Sequence, residues 1–315
     1  MLLAFVSQNE HLVPLGDEEL EARLGQAVWI DLIEPTDEER ARVEALYLQP
    51  LPEAEDVEEI EASARSYEDR SGLHINGLFL HEVEGRARNT SVLFTLSGDR
   101  LFSLREREIP AFRLLRMRAK RDPAVGASAL SVLLTLFEIK IEHLADTLEE
   151  VYTGLEDVGT TVLDKSGMAL EKAIDELAHL EDINGKVRLS LMDAQRGLTF
   201  LLRRGRLDGG STDRVRELLR DIDSLLPHNS FLFEKVNFLM VATQGFINIQ
   251  QNQIIKIFSV VAVVFLPPTL IASIYGMNFA HMPELHWVTG YPWALLLILI
   301  SAISPYWYFK RKGWL

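Results

Sequence analysis

One stretch of this chain places oxygen-bearing and small side chains at helical spacing inside an otherwise apolar run. Asn252, Ser259, Leu266 and Ser273 stand seven residues apart, and Ile255, Ala262, Thr269 and Gly276 interleave with them at steps of three and four. On an α-helix these positions form one stripe, small or polar where the rest is Ile, Val, Phe and Leu. Neutral oxygens of Asn, Ser and Thr can accept hydrogen bonds from the water shell of a hydrated cation without stripping it. Two readings fit the stripe: a seam where small residues let helices pack, or the wall of a water-filled path built from several copies of the chain. Other chemistry is poorly supplied. There is no cysteine, hence no thiolate nucleophile, thiolate metal site or disulfide. No Ser/His/Asp grouping, glycine-rich loop or G-x-x-x-x-G-K-[ST] motif occurs, so an enzyme is not expected. His143, His179 and His228 lack partners at metal-site spacing and read as surface or packing residues.

The stripe lies in a segment unlike the rest. The 315 residues carry a net charge of −14, which argues against a nucleic-acid partner and for cationic ones. Residues 1–250 hold 28 Lys+Arg and 45 Asp+Glu, a balance of −17, whereas 251–315 hold four basic residues and one acid, a balance of +3. Ile257–Tyr275 and Tyr291–Phe309 are each 19 residues without a charge, close to the roughly 20 that cross a bilayer core. Tyr291, Trp293, Tyr306, Trp307, Tyr308 and Trp314 flank the second run as interfacial aromatics do. Two membrane spans are expected. Lys310, Arg311 and Lys312 follow the second, and the connecting loop has no Lys or Arg, so both termini are expected on the cytoplasmic side. The N-terminal MLLAFVSQNE lacks the basic start and cleavage site of a signal peptide.

The acidic part must carry and position these spans. Segments starting at Leu2, Val28, Gly72 and Ser91 have strand character, with Ser97–Gly98–Asp99 as a hairpin turn. Glu34–Glu39 reads as a cap and acidic first turn before a helix over Arg40–Leu46. Apolar residues at helical spacing over Ala127–Leu163 and Met168–Arg206 suggest a long antiparallel pair. Leu207–Ser211 breaks the chain, with Ser211 or Thr212 able to cap the next helix, and from Asp213 to Tyr275 only Pro227 and Pro267–Pro268 interrupt. Read as one helix, those 63 residues would reach roughly 95 Å, a stalk entering the membrane. The expected boundaries are a cytosolic α/β domain at 1–126, long antiparallel helices at 127–210, a stalk at 211–253, a first span at 254–275, an outer loop at 276–290, a second span at 291–309 and a basic tail at 310–315. The fold class is thus α+β, an α/β sandwich plus long helices, joined by a stalk to a two-helix transmembrane hairpin.

Tyr275–Gly276–Met277–Asn278–Phe279, then Met282–Pro283–Glu284–Leu285, then a span ending in Tyr308–Phe309–Lys310–Arg311–Lys312, resembles the CorA family of magnesium transport proteins, in particular its enterobacterial-type branch. Trp29–Ile30–Asp31–Leu32, Ile60–Arg65, Phe102–Arg107 and Lys256–Ser259 extend the likeness over the whole chain. The resemblance implies a homopentameric funnel in the inner membrane, with the first span lining a central pore and Gly276–Met277–Asn278 at its outer, periplasmic mouth as selectivity filter. Mg²⁺ dehydrates reluctantly, so a ring of Asn278 carboxamides would suit its bound waters, with Gly276 giving the backbone room to turn. Asn252, Thr269 and Ser273 would repeat such contacts, while Leu266, Ile255 and Phe258 would form apolar constrictions. The resemblance also implies that internal Mg²⁺ is sensed at acidic sites between subunits; Glu58 and Glu59, with Glu217 and Asp221 on the stalk, are the candidates, a solvated acidic face being the plain alternative. The sequence departs from the family at Ala280, often an acid, and at His286, often basic. With His281 and Glu284 this gives two imidazoles and one carboxylate per outer loop, a set that favours Co²⁺ and Ni²⁺ as alternative cargo, or that is ordinary loop drift. Lys256 and Lys310–Lys312 form either a basic collar or an anchor to anionic membrane lipid. A Zn²⁺ transporter of the ZntB branch and a membrane-anchored scaffold are the rival readings.

Overall fold

The structure, a computed structural model, describes residues 1–8, 11–47, 66–163, 167–278 and 282–313. It separates into two units, Met1–Thr160 with Ile174–Leu239, and Thr161–Ala173 with Met240–Leu315. The first is built on a seven-stranded mixed sheet. Its strands are β1 (Leu2–Gln8), β2 (His11–Pro14), β3 (Trp29–Ile33), β4 (Ser66–Glu68), β5 (Leu73–Val83), β6 (Arg86–Ser97) and β7 (Arg100–Arg105), in the order β2-β1-β3-β7-β6-β5-β4. Only β3 and β7 run parallel, pairing Trp29–Ile33 with Leu101–Arg105. The expected hairpin turn falls between β6 and β7, and β6 begins five residues before the expected Ser91 because Glu84–Gly85, both at positive φ, already turn the chain.

Alternation along the strands loads both faces. Ile30, Leu32, Ala4 and Phe102 point one way and pack with Leu24, Ala27 and Val43 beneath α1 (Asp17–Arg23) and α2 (Asp37–Tyr47). The cap of α2 is Thr36: its Oγ1 accepts from Glu39 N at 3.3 Å, while Glu39 Oε2 accepts from Thr36 N at 3.0 Å, a capping box. On the opposite face Phe5 stacks on Trp29 at 4.4 Å, and Phe79, Phe94 and Phe112 gather within about 6 Å of one another, closed by α3 (Pro110–Ala119) and Phe137 of α4 (Ala129–Leu163).

A charged network lies inside this aromatic face. Asp31 and Arg105 are fully buried on adjacent strands; Arg105 donates to Asp31 from Nε at 3.1 Å and from a terminal nitrogen at 2.7 Å. Ser103 Oγ donates to Asp31 at 2.7 Å and accepts from Trp29 Nε1 at 2.9 Å, and Glu108 bonds Arg105 at 2.7 Å and also pairs with Arg116. Burial raises the Glu108 pKa, but hydrogen bonds from Arg116 and Arg105 outweigh it and hold the carboxyl low. The Trp-Ile-Asp-Leu and Phe-Ser-Leu-Arg segments are therefore two halves of one construction across the parallel pair.

Three long helices complete the unit. Helix α5 (Gly167–Arg204) runs antiparallel to α4: Lys140 meets Asp193 at 3.3 Å, and Gly154 leaves the space that Leu180 fills. It also covers the open edge of β5, where Leu78 N donates to Asp193 Oδ2 at 2.6 Å and Leu78 O accepts from Ser190 Oγ at 2.6 Å. Helix α6 (Gly209–Tyr275) is unbroken for 67 residues, through Pro227 and Pro267–Pro268 alike. Its N-terminus is capped by Asp208, which accepts from Ser211 N at 2.8 Å, and not by Ser211 or Thr212 as expected. In α6, Arg214 bonds Ser131, Thr135 and Glu138 of α4 at 3.1–3.2 Å, and Asn229 exchanges hydrogen bonds with Asn184 of α5 at 2.7–3.1 Å.

Removing one member of the Asp31–Arg105 pair strands the other in the core. Asp31→Ala is expected to cost about 3 kcal/mol or more, seen as a lower Tm of the full chain in detergent, and Asp31→Ala/Arg105→Met to recover part of the loss; equal stability of single variant and wild type would contradict this. A second prediction concerns Asp69 at the β4–β5 turn. Burial raises its carboxyl, but bonds from Ser71 and His74 prevail and hold it at about 2. Because the folded pKa lies below the ordinary aspartate value of 3.8, the stabilisation is present above that value and lost as pH falls toward 2. Asp69→Asn should therefore flatten the fall in Tm across this window.

Candidate ion pathway

The pathway residues lie on the C-terminal part of α6. Pro267 and Pro268 carry no N–H, so the carbonyls four residues earlier, Val263 and Val264, lose their ordinary helical donors. Such a pair survives in a helix when neighbours or cavity water satisfy the freed oxygens. Thr269, directly after it, donates its hydroxyl to Phe265 O at 2.7 Å. Its proton is thus committed to its own helix, and its lone pairs remain to accept from outside.

Within one chain this helix has almost no cover. Asn252, Ile255, Phe258, Ser259, Ala262, Leu266, Thr269 and Ser273 are all exposed, and among the described residues from 251 to 313 only Val260 is buried. Ile255, Phe258 and Leu266 expose 62%, 70% and 66% of their surface, values that a core helix of a soluble domain would not show. The second apolar helix, α7 (Gly290–Arg311), is exposed in the same way, and both helices are long and apolar enough to cross a membrane. Basic residues close α7: Arg311 lies 5.5 Å from the Trp307 ring, and Gly313, at φ +71°, ends the helix. Lys256, Lys310, Arg311 and Lys312 are exposed.

Helix α6 stops at Tyr275. Gly276 N still bonds Ala272 O at 3.0 Å and Met277 N bonds Ile274 O at 3.2 Å, after which Gly276, Met277 and Asn278 stand exposed. Pro283–His286 form a single 3-10 turn, in which the Glu284 carbonyl accepts from Trp287 N at 3.3 Å. A Cβ at Gly290 would collide with that carbonyl, so the turn and the start of α7 fit only a glycine. Glu284 is half-buried and His286 exposed; Ala280 and His281 lie outside the described residues.

The sensing candidates are only partly assembled. Glu217 and Asp221 stand one turn apart on α6, and line a groove of about 370 Å³ with Glu138 and Glu142 of α4. Arg214 holds Glu138 at 3.2 Å and Arg118 pairs with Glu142, whereas Glu217 and Asp221 have no ion-pair partner among the described residues. No group of three or more side chains able to hold a metal occurs among the described residues. Two carboxylates supply at most part of the six oxygens that Mg²⁺ demands, so they fit a hydrated ion and not an all-protein cage. Glu58 and Glu59 lie outside the described residues.

Sequence reasoning missed the buried Asp31–Arg105 pair and the Lys140–Asp193 pair. A charge at a core position of each apolar strand or helix was the available signal, visible once the partner's register is known.

A family model described as "CorA-like Mg2+ transporter protein" matches residues 25–311. The chain belongs to the CorA family. Over its full length it is 55% identical to the magnesium transport protein CorA of Escherichia coli K12 and 54% to that of Salmonella typhimurium, covering all of each. The complete CorA magnesium transporter of Methanocaldococcus jannaschii has the same fold, with a TM-score of 0.78 at 21% identity over 100% of this chain and 99% of that one. A ZntB cytoplasmic domain from Vibrio parahaemolyticus matches with a TM-score of 0.54 at 12% identity, over 79% of this chain and 97% of that one. Fold alone therefore does not separate the two branches, whereas full-length identity favours CorA.

Proposed function

We propose that this CorA-family chain carries Mg²⁺ inward across the bacterial inner membrane through a pore formed by several copies, five by resemblance to the family. The observation that carries the reading is the uncovered membrane half of α6. Its oxygen-bearing stripe ends at an exposed Gly276–Met277–Asn278, and the full-length relatives named magnesium transport proteins support Mg²⁺ as the cargo. Copies of the stripe facing one axis would give a hydrated ion rings of acceptors at Asn252, Ser259, Thr269 and Ser273, relieved by apolar rings at Ile255, Phe258 and Leu266. Ala262 and Gly276 would keep the path wide. An inside-negative potential of about 100 mV supplies roughly 2.3 kcal/mol per charge, twice that for a divalent ion, so no nucleotide hydrolysis is needed. Both termini are assigned to the cytosol by the basic residues after α7. There Lys256, Lys310, Arg311 and Lys312 would meet anionic lipid and oppose cation passage at the inner mouth.

Co²⁺ and Ni²⁺ are the alternative cargo, with His281, His286 and Glu284 near the mouth as the residues that would favour them. Glu217 and Asp221, joined by Glu58 and Glu59, are assigned to sensing of internal Mg²⁺: filled, the sites hold neighbouring subunits together and the pore shut, and emptied, the carboxylates repel.

Flux into proteoliposomes tests the cargo and the mouth together. Asn278→Ala should cut Mg²⁺ flux at least tenfold, and His281→Ala/His286→Ala should lower Co²⁺ and Ni²⁺ flux relative to Mg²⁺. Zn²⁺ carried in preference to Mg²⁺ would instead favour the ZntB reading, and no flux of any ion the scaffold reading. Glu217→Gln/Asp221→Asn should leave transport several-fold less inhibited by internal Mg²⁺; unchanged inhibition would move the sensor elsewhere.

A further inference from the structure

A second set of residues at helical spacing has no part in ion passage. Arg196, Thr199, Phe200 and Arg203 share one face of α5, and with Arg204 and with Leu219 of α6 they line a cleft of about 600 Å³ beside the edge of β5. That volume is within the roughly 300–1,000 Å³ of small-molecule sites. Leu219 and Asp223 also border an adjoining hollow lined by Arg216 and Arg220, so five arginines surround one ridge in a chain of net charge −14.

These guanidinium groups are poorly compensated. Arg196, Arg203 and Arg220 make no ion pair among the described residues and Arg204 reaches Glu68 only at 4.0 Å, whereas Arg216 is paired with Asp213 of the adjoining hollow at 3.4 Å. Of the two carboxylates that enter the cleft, Asp193 is paired with Lys140 and accepts from Leu78 N, while Asp223 accepts from the neutral Gln195 Nε2 at 2.7 Å and keeps its charge. In a domain where acids outnumber bases, leaving Arg196 and Arg203 unpaired in this cleft, with Arg220 in the adjoining hollow, keeps positive charge available for a ligand. Planar guanidinium forks suit phosphate oxygens, and Phe200 adds an apolar ring where a base or similar flat group could rest.

We propose that this cleft binds a nucleoside polyphosphate, with its phosphates on Arg196 and Arg203 and its base against Phe200. The site does not depend on the transport reading, because binding is measurable without flux. The ligand would bridge α5 and α6, so occupancy would favour one spacing of these two helices.

The test is equilibrium binding to the detergent-solubilised full chain, with ATP and inorganic tripolyphosphate as probes, each with and without Mg²⁺. The site predicts saturable ATP binding that weakens with salt and falls at least tenfold in Arg196→Ala/Arg203→Ala. Phe200→Ala should weaken ATP but leave tripolyphosphate unchanged. Both arginines are exposed and unpaired, so the double variant should keep the wild-type Tm; Arg196→Lys/Arg203→Lys retains the charge and provides a milder second reading. Absence of ATP binding at cellular nucleotide concentrations, or equal binding by wild type and double variant, would overturn the proposal. Equal effects of Phe200→Ala on both probes would overturn its nucleoside part.

Discussion

The membrane half of α6 has apolar residues on every side except one stripe, and its own chain leaves nearly all of that surface uncovered. Ile, Val, Leu and Phe side chains exposed on this scale are not tolerated in water, so lipid or further copies of the chain must cover them. Lipid suits the apolar faces, whereas it offers no donors to the hydroxyl lone pairs of Ser259, Thr269 and Ser273. Placing the stripe toward other copies, as proposed, would meet both demands. The paired prolines increase the second, since two main-chain carbonyls join the side-chain oxygens in needing partners. The proposed wet axis between copies would satisfy polar and apolar surfaces together, and ion passage would follow from it.

Such an axis requires that α6 be held firmly at its other end. In the first unit it is clamped to α4 through Arg214 and to α5 through the reciprocal Asn184–Asn229 pair. Helix α5 in turn closes the sheet edge at Leu78, and the sheet is fixed by the Asp31–Arg105 network. Buried charges and amides contribute little net stability, but they tolerate few alternative registers, since any slip leaves one of them unpaired. The acids Glu217 and Asp221 lie on this clamped stretch of α6. A cation bound there, as proposed for the sensor, would act on the same helix that bears the stripe.

Much of this was legible in the sequence because it is written in periodicity and composition. The uncharged runs at 257–275 and 291–309, the alternation in β3, β5 and β7, and the heptad spacing of the stripe need no tertiary information. Elements that depend on partners were not legible. The short strands β2 and β4 exist through pairing with β1 and β5, the cap of α6 sits at Asp208 because the chain breaks earlier than Ser211, and Asp31 and Arg105 carry opposite charges whose meeting across 74 positions no local pattern encodes. The continuous α6 was read from the sequence despite its three prolines, which local propensity would place at breaks. Asn278 is proposed at the mouth from the family resemblance, whereas Gly290 is explained only by the closeness of the Glu284 carbonyl.

A pore lined by this stripe requires one face of α6 to be wet and the others dry. The chain contains no native cysteine, so single cysteines placed along this helix report water access directly. In membranes, Ala262, Thr269 and Ser273 replaced singly by cysteine should react with a small water-soluble thiol reagent and lose Mg²⁺ flux on reaction. Ile257, Val264 and Ile271, on the opposite side of the helix, replaced in the same way should stay unreactive. Reactivity spread evenly around the helix, or confined to the second set, would contradict a pore lined by this stripe.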